Sequence, residues 1–193
     1  MAEVLLFHHA QGLTEGVTAF ADGLRSAGHT VHTPDLYGGR RFSSIEDGAA
    51  YASGDGRPDL DALADEAVAA LPAGLVYAGI SSGVMQAQRL AQTRVGALGA
   101  VLLESCLPIS GEWAIGPWPD GVPVQVHGMD ADEFFAGEGD LDAARELVAS
   151  TGDGELFVYP GDQHLFEDSS LASYDAAATD LLTERVLALL ARV

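Results

Sequence analysis

The stretch Gly79-Ile80-Ser81-Ser82-Gly83 fits G-x-S-x-G, the pattern that lifts a serine onto a tight strand-to-helix turn as a nucleophile. A serine hydroxyl attacks a carbonyl only when a base takes its proton and a carboxylate orients that base. After Ser81 the chain offers two histidines, His127 and His164. His127 falls inside the strand-like run "VPVQVHG", where a packed or hydrogen-bonded structural role is expected. His164 lies in "PGDQHLFEDSS", between the last apolar run and the last helical segment. The order serine, acid, histidine therefore selects His164 as the base. For the acid, "HGMDADEFF" presents Asp130, Asp132 and Glu133, and spacing does not separate the two aspartates. Asp162 is a weaker option, being local to His164 and suited to stabilising its turn. The same residues at 79–83 would also fit an ordinary turn in which Ser81 only caps a helix.

Acyl transfer also needs N–H groups aimed at the developing oxyanion. The backbone of Ser82, at a helix start, is one candidate donor. Ala10 or Gln11 in "FHHAQGL" (7–13) is the second, with Gly12 permitting the close turn. His8 and His9 could suggest a metal, but adjacent strand residues point to opposite faces and no carboxylate sits at ligand spacing. "HTVH" (29–32) has the same defect, so no metal site is expected.

These residues need a scaffold of strand ends. "EVLLFHH" (3–9), "HTVHTPDLY" (29–37), "AGLVYAGI" (73–80), "VGALGAVLLES" (95–105), "VPVQVHG" (122–128) and "GELFVYPG" (154–161) read as six short strands. Segments of helical period lie at 14–28, 59–72, 82–94, 139–151 and 173–193, while the glycine- and serine-rich stretch 38–58 reads mostly as loop. Strands alternating with helices predict an α/β class with a mostly parallel sheet covered on both faces, in one domain over 1–193. Ligands in such sheets sit beyond the C-terminal strand ends, where Ser81, the 130–133 acids and His164 all fall.

The chain has 193 residues and a formal charge of −20, from 29 acidic and 9 basic residues. That field repels phosphate backbones and acidic membrane surfaces, so neither nucleic acid nor membrane is an expected partner. The single cysteine, Cys106, excludes an intrachain disulfide. "MAEVLLFHHAQG" lacks a basic leader and a long apolar run, which predicts a cytoplasmic protein, monomeric or a small homo-oligomer.

The chain resembles the dienelactone hydrolase family of the α/β-hydrolase superfamily. The resemblance rests on "TPDLYGG" (33–39), "GLVYAGISSGV" (74–84), "VHGMDADEFFAGEGDLDAARELV" (126–148), "FVYPGDQHLF" (157–166) and the start of the last helix at Tyr174–Ala178. It implies Ser81 as nucleophile, His164 as base and an acid in the 130–133 loop, and "DEFFA" favours Asp132 over Asp130. It also implies an α/β-hydrolase fold trimmed to about six strands, lacking the early antiparallel strands. Family members that open dienelactone carry cysteine at the elbow, a glutamate where this chain has His9, and an arginine where it has Asp168. His9, Gln11 and Tyr37 are then candidates for lining the site, and Arg40 and Arg41 for recognising an anionic substrate. Trp113, in the excursion "PISGEWAIGPWPDG" (108–121), is a candidate pocket wall, although it and Trp118 would serve equally as core packing. The expected activity is cofactor-free hydrolysis of a small ester, lactone or thioester. The rival reading is a non-catalytic protein of this fold that binds a small molecule or a partner.

Overall fold

The computed structural model describes residues 1–193. Six parallel strands form one sheet in the order β2-β1-β3-β4-β5-β6. They are β1 (Glu3–Phe7), β2 (Thr30–His32), β3 (Val76–Ile80), β4 (Gly99–Leu103), β5 (Val124–Met129) and β6 (Gly154–Tyr159). The helices are α1 (Glu15–Ser26), α2 (Ile45–Ser53), α3 (Leu60–Ala69), α4 (Val84–Thr93), α5 (Asp140–Ser150) and α6 (Ala176–Leu190). The predicted parallel α/β architecture is therefore what the chain adopts.

Alternation along the strands divides the core into two layers. Val4 and Leu6 of β1, with Val76, Ala78 and Ile80 of β3, pack under α1 and α6. Leu5, Phe7 and Tyr77 face the other way, under α3, α4 and α5. Because both faces are covered, β3 and β4 are buried throughout and read as continuous apolar runs. Helix α1 shows how the sequence builds one layer. Thr14 accepts the Val17 N–H at 3.1 Å as N-cap. Val17, Phe20, Ala21 and Leu24 then recur on the buried face, and Gly28, at φ +95°, ends the segment. Each fully buried leucine or phenylalanine of this kind stabilises the fold by roughly 1.5–3 kcal/mol.

Two expectations need adjustment. Residues 38–58, read mostly as loop, also hold the helix α2 at 45–53, with Ser44 Oγ accepting the Asp47 N–H at 3.1 Å. Its glycine has a packing reason: a Cβ on Gly48 would stand 1.8 Å from the Ala10 carbonyl oxygen. The second strand is much shorter than 29–37, since Asp35 accepts the Tyr37 and Gly39 N–H groups and turns the chain after His32.

Candidate active site

Strand β3 runs into a single 3-10 turn over Ser81–Gly83 and then into α4. Ser81 sits at φ +49°, a left-handed conformation that costs a non-glycine residue roughly 1–3 kcal/mol and persists only where the surroundings enforce it. Those surroundings are tight. A Cβ on Gly79 would lie 2.4 Å from the Gly83 carbonyl oxygen, and one on Gly83 would lie 2.6 Å from both Phe7 and His8 carbonyl oxygens. The two glycines thus let β3, the turn and β1 approach closely enough to present the Ser81 hydroxyl.

His164 lies in the segment between β6 and α6, with Nε2 2.8 Å from Ser81 Oγ. Its Nδ1 stands 2.7 Å from Asp132 Oδ2, while Asp132 Oδ1 accepts the Phe134 N–H at 2.9 Å. With Nδ1–H donated to the carboxylate, Nε2 is left to accept from the serine hydroxyl. Asp132 is buried, and the Phe134 ring lies 4.8 Å from the imidazole. Asp130 is placed differently: it is exposed, and its Oδ1 accepts the Gly161 N–H at 3.0 Å, tying the β5 and β6 loops together. Asp162 is turned to the neighbouring Gln163 amide, and His127 is buried against Tyr159 and Gln125. Burial, with Arg185 nearby, pushes the His127 imidazole down to about 3, consistent with a neutral packing role.

At the β1 end, the Gln11 N–H is given to His9 Nδ1 at 3.2 Å. Ala10 and Ser82 both line a cavity of about 610 Å³, together with Tyr37, Ala49, Ala52, Leu60 and Met85. A second hollow of about 380 Å³ is bounded by Ala131–Phe134 and Asp162–His164.

Of the other sequence-predicted residues, Tyr37 lines the larger cavity and the rest do not. His9 is fully buried, held by Asp168 at 2.8 Å through Nε2. Gln11 is buried and spends its side-chain amide on the Phe42 carbonyl. Arg40 lies over the Tyr51 ring, and Arg41 reaches toward Glu15 at 4.0 Å on the surface. Trp113 is 82% exposed, whereas Trp118 is core, donating to the Val122 carbonyl at 2.7 Å. The wall expected from 108–121 is supplied instead by 49–61, including the cation Arg57. A signal for it exists in "SSIED", since Ser44 followed by Asp47 is a helix-start pattern.

Asp168 holds several donors at once. Burial raises its carboxyl, but hydrogen bonds from His9, Ser170 and Thr14 outweigh that and bring it down to about 2. Glu104, Asp132 and His164 have potential ligand atoms within 4.8 Å of one another. All six of those oxygens and nitrogens already have partners: Glu104 takes the Leu165 and Phe166 N–H groups, Asp132 takes His164 and Phe134, and His164 takes Ser81. The donor set therefore suits a hydrogen-bond chain better than a cation. No helix is long and apolar enough to cross a membrane.

Comparison with known proteins adds an independent view. No curated protein matches the sequence. Among solved structures, a Klebsiella pneumoniae protein provisionally assigned as a dienelactone hydrolase superposes with a TM-score of 0.70 at 20% identity, over 100% of this chain and 88% of that one. A dienelactone hydrolase-like promiscuous phosphotriesterase from metagenomic libraries gives 0.71 at 18% identity, over 100% and 86%. The butyrate-bound esterase Est2 of Thermogutta terrifontis gives 0.65 at 17%, over 99% and 83%. At such identities the likeness is one of fold. Residues 120–193, which contain Asp132, His164 and α6, match the sequence model of the Dienelactone hydrolase family, in agreement with the resemblance already visible in the sequence.

Proposed function

We propose that the protein is a single-domain serine hydrolase of the dienelactone hydrolase type, cleaving a small ester, lactone or thioester. The observation that carries the reading is the unbroken chain Ser81 Oγ, His164, Asp132, with links of 2.8 and 2.7 Å, beside a cavity that Ser82 lines. Ser81 Oγ attacks the substrate carbonyl carbon as its proton passes to His164 Nε2. Asp132 fixes the tautomer and stabilises the imidazolium. The N–H groups of Ala10 and Ser82 receive the oxyanion, each such donor being worth roughly 3 kcal/mol in the transition state. His164 then protonates the departing alcohol or thiol, leaving an acyl group on Ser81. Water, deprotonated by the same nitrogen, releases the acid and regenerates the serine. These steps need no cofactor. Arg57 is the one cation among the cavity's lining residues, and it stands there with Asp59 and Asp61.

The test is a fluorophosphonate probe read by intact-protein mass. The folded wild type should gain one adduct and hydrolyse short acyl esters, while Ser81→Ala should do neither. A folded wild type that takes no label would overturn the reading.

A further inference from the structure

Beside the proposed Ser81–His164–Asp132 chain lies a second carboxylate that those steps do not use. Glu104 follows β4 and is fully buried. Its two oxygens accept the N–H groups of the two residues after the histidine, Leu165 at 2.7 Å and Phe166 at 3.0 Å. Its Oε2 also stands 4.0 Å from His164 Nδ1, behind the bond to Asp132. Three non-glycine residues in the chain have left-handed φ: Ser81 at +49°, Glu104 at +59° and Leu165 at +61°. One is the proposed nucleophile, and the other two are the partners of this contact. Strain held at both ends of a single buried link marks it as enforced by the fold and not incidental.

We propose that Glu104 is a positioning residue for His164: its buried carboxylate clamps the backbone that carries the imidazole and places a second negative charge behind Nδ1. The proposal rests on the hydrolase reading above. Asp132 faces His164 from the β5 loop, Ser81 from the elbow, Glu104 from the β4 end and Glu167 from the histidine's own segment, with His9 beyond Glu167. Glu167 is also fully buried, and neither of its side-chain oxygens has a hydrogen-bond partner. Burial, the largest cause for each, holds both glutamates above the ordinary carboxylate range. Two backbone donors favour the anion on Glu104, and the unpartnered Glu167 keeps the proton.

The test uses the full chain and two variants. Glu104→Gln is uncharged and cannot accept both N–H groups. It should lower kcat about tenfold with KM within about twofold, and move the acid limb of the activity profile down by about one pH unit, as expected when an anion within about 4–6 Å is removed. Glu167→Gln replaces a neutral acid by a neutral amide and should leave that limb in place. The same comparison is read without turnover by NMR titration of the His164 ring in the Ser81→Ala background, so it stands even if the wild type fails the fluorophosphonate test. If Glu104→Gln leaves kcat and the ring titration unchanged, the proposal is overturned. Should that variant not fold, a downward shift of the ring titration in Glu167→Gln would place the charge on the wrong glutamate and equally overturn it.

Discussion

Replacing Asp168 by asparagine removes a charge and little volume from the most heavily hydrogen-bonded carboxylate in the chain. Its oxygens receive His9 Nε2, Thr14 Oγ1, and both the N–H and the hydroxyl of Ser170. These bonds hold the carboxyl at about 2 against an ordinary 3.8. A depression of that size corresponds to roughly 2 kcal/mol of stability at neutral pH. Because the folded value is the lower one, this contribution is complete above 3.8 and disappears as pH falls through 2. The asparagine amide also turns a donor toward other donors, a pH-independent cost of about 1–3 kcal/mol. Urea unfolding of both proteins at pH 7 and pH 3 separates the two effects. The difference between them should be at least about 2 kcal/mol at pH 7 and should shrink by about 1 kcal/mol at pH 3. Other acidic residues titrate alike in both proteins and cancel. A difference below about 0.5 kcal/mol at pH 7, or one that does not change with pH, would refute the assignment of Asp168 as a charged clamp.

Two further outcomes follow from the geometry around the elbow. Asp132→Asn should reduce kcat by about 10³–10⁴-fold, because the amide no longer holds the imidazole tautomer; Asp130→Asn, which only weakens a surface bond to Gly161, should change kcat less than about threefold. Steady-state kinetics on a short acyl ester distinguishes the pair. Gly48→Ala would ordinarily favour a helix by about 1 kcal/mol, yet here its Cβ would meet the Ala10 carbonyl at 1.8 Å. The clash should prevail, costing about 1–3 kcal/mol in thermal unfolding and lowering kcat as Ala10 shifts.

The parallel sheet was legible because its strands are short apolar runs separated by segments of helical period, and both layers bury such runs. The elbow was legible because its requirement is local: Gly79 and Gly83 bracket Ser81 at the one spacing that permits the turn. Helix α2 was not, because its sole buried residue is Gly48 and its packing side chains, Ile45, Tyr51 and Ala52, are only partly buried amid glycine, serine and acids. The pocket wall was misplaced for the same reason: two tryptophans near glycine and proline drew the eye to 108–121, while alanines, Leu60 and Met85 supply the surface. His9 and Asp168 are 159 positions apart, and nothing in either local pattern announces the other. Glu104 stood at a strand end, but its partners are backbone groups, which leave no mark on residue identity.

The two ends of the chain are fastened to each other at this corner. The His9–Asp168 bond spans 159 positions and the Ser81–His164 bond spans 83. During synthesis at about 5–20 residues per second, the first strand therefore waits several seconds or more before its clamp emerges. Closing such long loops must be offset by packing already gained elsewhere, so the corner forms late and opens early. Hydrolytic activity should accordingly vanish ahead of global unfolding, which makes a simple ester assay an early reporter on the loosening of this corner.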